Sequence, residues 1–133
     1  MARIVQHSVT LPGQPGALYT MYLDPVQHAA FTGGGEVRIA PRVGAEFSGF
    51  GGRITGRILA LTPGRQIVQT WRSFEWRPDD LDSVLVLTFE AAGTDTRLEL
   101  VQVSPPEHLY ETLQANWPMR YFDPWRAYLE HRG

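Results

Sequence analysis

Apolar and polar positions alternate with a period of two along most of the chain, in short runs cut by glycine and proline. The runs predict strands over residues 2–10, 36–39, 45–50, 53–61, 66–74, 83–90 and 96–103. Gly51-Gly52 and Thr62-Pro63-Gly64 read as reversals between consecutive strands, and residues 91–95 as the turn of the clearest hairpin. Within that hairpin Leu85, Leu87 and Phe89 share one face with Leu98, Leu100 and Gln102 across the pair. The acidic, proline-containing stretch 74–82 reads as a loop.

Helical spacing replaces alternation in three places. Residues 16–23 carry Leu18, Tyr19, Tyr22 and Leu23, with Pro15 suited to a first turn. Asp24-Pro25 reads as an N-cap and N1 pair opening a second short helix to Phe31, with Val26, Ala29, Ala30 and Phe31 as its apolar side. Residues 107–131 repeat Leu113, Trp117, Tyr121, Trp125 and Tyr128 at helical spacing, with a kink or fresh start expected near Pro118 and a second bend at Pro124. The assembly these elements imply is α+β: a curved antiparallel β-sheet around one long C-terminal α-helix, with two short helices after the first strand.

Composition narrows the chemistry. One domain over residues 1–133 is expected at this length. Cysteine is absent, which removes disulfides, thiolate metal sites and thiol nucleophiles. All twelve basic residues are arginine, so lysine-based catalysis is excluded. A net charge of −2 gives no footprint for nucleic acid. No run is long enough for a membrane span, and the N-terminal stretch lacks the apolar core of a signal peptide, so a cytoplasmic location is expected.

Three pieces are distinctive: F-x-G-x-I-x-G at residues 50–56, I-V-Q-x-W-R at 67–72 and Y-F-x-P at 121–124. With Ser83 opening its strand, they make residues 18–129 resemble the bacterial activator of heat-shock chaperone ATPase-like (AHSA-type) family. That family belongs to the START-like, helix-grip (SRPBCC) superfamily, and the resemblance implies its fold. The superfamily binds lipids, hormones and flavonoids, cyclises polyketides or stimulates a chaperone on one scaffold, so no single activity follows. Where relatives carry a short glycine-containing turn before the last helix, this chain has Val103-Ser104-Pro105-Pro106, and its Pro118 is also unusual.

The resemblance implies a cavity between sheet and C-terminal helix. Strand parity and the resemblance together point Phe47, Ile54, Trp71, Leu85, Leu87, Phe89, Leu98 and Leu100 toward it. Trp117 and Tyr121 face it from the helix, and Phe31 and Trp76 are expected at its rim. Each of these could equally fill a core. Gln69 and Gln102 fall on the same faces and need partners, whether a ligand, each other or the backbone. Arg72 should face outward and pair with Glu90 or Glu99. Glu75, Asp79, Asp80 and Asp82 read as a solvated loop near the entrance, or two of them as an acid–base pair, and His28 as an exposed helix residue or one facing the cavity mouth.

No catalytic residues and no cofactor emerge. The four histidines lack ligand spacing, no serine sits in a nucleophile elbow, and the glycines of GFGGRITG lead into a strand rather than a helix. Three functions remain open. The first is binding of a small, largely apolar molecule. The second is a protein-interaction role, with a chaperone partner or a homodimer through the apolar outer face of Val84, Val86, Val101 and Val103. The third is a small cyclase- or hydrolase-like enzyme.

Overall fold

Alternation this regular builds a sheet with one buried face, and the structure, a computed structural model, has one. It describes residues 3–132, the last by its backbone alone, so Ala2 of the expected first strand lies outside the described residues. Strand β1 (Ile4–Pro12) leads into helices α1 (Pro15–Leu23) and α2 (Pro25–Phe31). Strands β2 (Glu46–Gly49), β3 (Ile54–Thr62), β4 (Gln66–Ser73), β5 (Ser83–Ala92) and β6 (Asp95–Val103) follow. The C-terminal segment comprises α3 (Tyr110–Trp117), a wide turn of π geometry (Pro118–Phe122) and α4 (Asp123–Arg132). The six strands form one antiparallel sheet in the order β1-β6-β5-β4-β3-β2. The C-terminal helix lies on its buried face, and the two short helices close one end of the same core.

Local chemistry sets the details. Asp24 caps α2 as expected, its carboxylate accepting from Val26 N at 2.9 Å and Gln27 N at 3.3 Å. The 62–65 reversal closes with Arg65 N–H donating to Thr62 O at 2.9 Å. The last hairpin is tighter than its sequence implies: both strands run two or one residues further, leaving only Gly93-Thr94 between them. A register shift between Ile58 and Ala60 makes Leu59 an extra residue in β3 and bends that strand. Gly56 is required by close approach, because a Cβ there would lie 2.0 Å from Thr70 O.

Three expectations are corrected. Residues 36–39 form no strand; Arg38 and Ser48 make a single bridge with two 2.9 Å backbone hydrogen bonds. The three preceding glycines and Pro41 prevent a longer ladder, although Val37 and Ile39 still point inward. The buried side of α2 is rotated from the expected one: Val26 and Ala30 are exposed, whereas His28 and Phe31 are buried. Of the kink or fresh start expected near Pro118, the chain makes no fresh start, since Trp117, Pro118 and Asp123 all keep right-handed helical dihedrals, and a wide turn of π geometry stands there. The wide turn takes up Pro118 and brings Phe122 into the core beside the Leu113, Trp117, Tyr121 and Trp125 stripe.

Candidate functional site: a cleft between the sheet and the C-terminal helix

Where the helix crosses the ends of β3 and β4, the packing leaves a cleft of about 380 Å³. Its apolar wall is Ile54, Trp71, Leu113, Trp117 and Tyr121, all buried. Two rows of the helix face it at i, i+4 spacing: Leu113, Trp117 and Tyr121 at the floor, and Thr112, Asn116 and Arg120 along one lip. The opposite lip carries Phe50, Arg53, Ser73, Phe74 and Glu75. Phe50 holds φ at 50°, a costly setting for a side chain of this size, and its ring meets Tyr121 edge-on at 5.5 Å. Phe74 is 69% exposed, with the Arg53 guanidinium 5.7 Å above its ring.

The aromatic walls are fixed from behind by buried polar groups. Trp117 Nε1–H donates to Gln102 Oε1 at 2.9 Å, Gln102 Nε2–H to Ser83 Oγ at 2.9 Å, and Ser83 Oγ–H to the Trp71 carbonyl at 2.6 Å. This chain ties the helix through β6 and β5 to the strand that bears Trp71. A second set holds Tyr121. The Tyr22 carbonyl can only accept, so His28 donates to it from Nδ1 at 2.7 Å and leaves Nε2 to accept from the Tyr121 hydroxyl at 3.1 Å. His28 is fully buried and stacks on Phe31 at 5.0 Å. Desolvation lowers its pKa from 6.5 to about 4, opposed in part by the hydrogen bond to Tyr22, so the ring is neutral at pH 7. Burial likewise raises Tyr121 and Tyr22, which stay protonated donors. The Tyr22 hydroxyl donates to Gln69 Oε1.

Of the residues that the sequence pointed at a cavity, four line the cleft: Ile54, Trp71, Trp117 and Tyr121. Phe47, Leu85, Leu87, Phe89, Leu98 and Leu100 are buried in the core away from it. Phe31, expected at the rim, stacks on Trp125 at 4.2 Å, and Trp76, also expected there, is tucked edge-on against Trp71 at 5.7 Å. Gln69 and Gln102 find their partners in Tyr22, Ser83, Trp117 and the Thr70 carbonyl. His28 is the reverse of an exposed residue. Arg72 does not pair with Glu90 or Glu99, which Arg97 engages at 2.8 and 3.0 Å. It binds Asp82 at 2.9 Å and the carbonyls of Asp80 and Arg77, both at 2.7 Å, and so pins the 74–82 loop against β4.

The lip residues were missed because they lie one helical row, or one strand end, beside the apolar stripe. The i, i+4 recurrence of Thr112, Asn116 and Arg120 next to Leu113, Trp117 and Tyr121 was the available signal. Among the described residues no group of three acidic or histidine side chains is arranged to hold a metal. No described helix is long and apolar enough to cross a membrane.

A sheet gripping a C-terminal helix is a fold shared with known proteins. The profile of the family described as "Activator of Hsp90 ATPase homolog 1-like protein" matches residues 13–130. The chain belongs to this family. An activator of 90 kDa heat shock protein ATPase homolog from Dictyostelium discoideum is 36% identical over 81 residues, covering 60% of this chain and 21% of that protein. The chain spans about a third or less of the length of the curated relatives it matches. Among solved structures, an Hsp90 activator from Plasmodium falciparum superposes with a TM-score of 0.82 at 21% identity, covering 95% of this chain and 96% of that one. The Aha1 dimer from Colwellia psychrerythraea gives 0.81 at 11% identity, covering 96% of both chains. At these identities the likeness is one of fold.

Proposed function

We propose that the chain binds a small, largely apolar molecule in the cleft between its sheet and C-terminal helix. The observation that carries this reading is the cleft itself: a cavity at the small end of the range for ligand sites, walled by rings that two buried hydrogen-bond systems hold in place. Rings fixed before binding lose little freedom when a ligand arrives, and apolar burial supplies the affinity. Native mass spectrometry of freshly purified protein, after exposure to a cellular lipid and metabolite extract, tests the reading. The parent is expected to carry a reproducible adduct that Asn116→Trp, which fills the cleft from its lip, loses. A parent that takes up nothing contradicts it.

Family membership favours a second reading, a protein-interaction role with a chaperone ATPase or a second copy of the chain. Its surface would be the outer face of the sheet, where Val68, Val84, Val86, Val101 and Val103 are only half-buried and lie beside one another across the β4, β5 and β6 registers. The Colwellia relative is a dimer, and the Dictyostelium and Plasmodium relatives carry Hsp90 activation in their names. A monomeric sedimentation profile at high concentration, with no stimulation of a chaperone ATPase, would remove it.

A further inference from the structure

We infer that the ligand is an anion: a flat, apolar body carrying one acidic group, the body on the ring floor and the acid at the mouth between Arg53 and Arg120. This inference rests on the ligand-binding reading and adds the charge and shape of the ligand to it. Of the floor's polar groups, Trp117 is spent on Gln102 and Tyr121 on His28, while the buried Trp71 Nε1–H, which has no partner, remains as a neutral donor. No charged side chain lines the floor, so the countercharge for an acid lies only at the lips. There, Arg53 and Arg120 are exposed, face one cleft from opposite sides, and make no ion pair or hydrogen bond through their side chains among the described residues. Their neighbour Glu75 is also unpaired, which leaves the mouth with one net positive charge in a chain whose net charge is −2. Positive lips around an apolar floor raise the local concentration of anions and hold an acid while its ring system is buried. Packing of the Arg53 guanidinium over Phe74 limits where that charge can go and keeps it beside the opening. The ring-lined floor favours a planar body over a flexible chain, since stacked and edge-on contacts need flat partners.

Two fluorescent probes separate the charge from the body: 8-anilinonaphthalene-1-sulfonate and its uncharged counterpart N-phenyl-1-naphthylamine. Titration of each into the parent and into Arg53→Gln, Arg120→Gln and Glu75→Gln reads the lips directly, all three substitutions being at exposed positions. Each arginine variant is expected to weaken the sulfonate by about threefold to fivefold, and Glu75→Gln to tighten it by about twofold to threefold, as half-solvated charge pairs do. The uncharged amine is expected to bind all four proteins within about twofold of one another. If the amine binds in the cleft, lost in Asn116→Trp, and the three variants leave the sulfonate unchanged, the anion inference falls while the ligand reading stands. If neither probe binds the parent, both fall.

Discussion

His28 concentrates the cost and the benefit of a buried titratable group in one side chain. Its two ring nitrogens are both satisfied, Nδ1–H by the Tyr22 carbonyl and Nε2 by the Tyr121 hydroxyl, but only in the neutral form. With a pKa of about 4 in the fold and about 6.5 in the unfolded chain, the stabilisation is complete above about pH 6.5. As the pH falls from there toward 4, the unfolded chain takes up a proton that the folded one refuses. The loss reaches the order of 3 kcal/mol by pH 4, below which this group adds nothing more. Urea unfolding at a series of pH values is expected to show this decline. His28→Leu, less stable at pH 7 because it strands the Tyr121 hydroxyl, should lose about 2 kcal/mol less over the same range. Parallel curves for the two proteins would contradict the assignment. Nothing in the local sequence marks His28 as buried: it lies two residues after Val26, the residue a short amphipathic helix would be expected to bury. The partner that decides the matter is Tyr121, far along the chain.

At the scale of elements, the C-terminal helix shows how a proline is accommodated rather than avoided. Pro118 has no N–H to give the carbonyl four residues earlier, that of Gln114. His7, reaching across from β1, donates to that carbonyl from Nε2 at 2.9 Å and meets Phe122 edge-on at 5.7 Å. The wide turn then closes through Asp123 N–H to the Pro118 carbonyl and continues into α4. His7 and Pro118 should therefore be coupled. His7→Leu is expected to cost about 1–2 kcal/mol in the parent and about 1 kcal/mol less in a Pro118→Ala background, where the helix supplies its own donor. Additive costs in a denaturation double-mutant cycle would refute the coupling. The prolines were visible in the sequence, but their consequence was not, because the compensating donor sits on another element. Just before this helix, Ser104 takes a φ of 58°, a glycine-like bend held with a side chain in place.

For the whole molecule, alternation legible in β4, β5 and β6 was enough to orient the sheet. Gln69, Trp71, Leu85, Leu87, Phe89, Leu98, Leu100 and Gln102 are all buried where parity put them. Parity cannot separate core from cavity, however, because both present the same apolar face. Only the helix crossing, set by Trp71 against Trp117 at 5.3 Å and by the Gln102 chain behind them, decides that the opening falls at one end of β3 and β4. The cleft's charge was hidden for a related reason, since Arg53, Glu75 and Arg120 come from three elements and meet only in the fold.

The four tryptophans provide the direct test of a ligand in this cleft. Two-dimensional ¹H–¹⁵N spectra resolve their indole N–H signals, and 8-anilinonaphthalene-1-sulfonate can be titrated against them. Trp71 and Trp117 line the cleft, whereas Trp125 is buried against Phe31, with its N–H directed at the Met21 sulfur. The signals of Trp71 and Trp117 are expected to move together and saturate, and that of Trp125 to stay in place. A bound probe that leaves Trp71 and Trp117 unmoved, or that shifts the valine methyls of the outer sheet face instead, would contradict the cleft as the site.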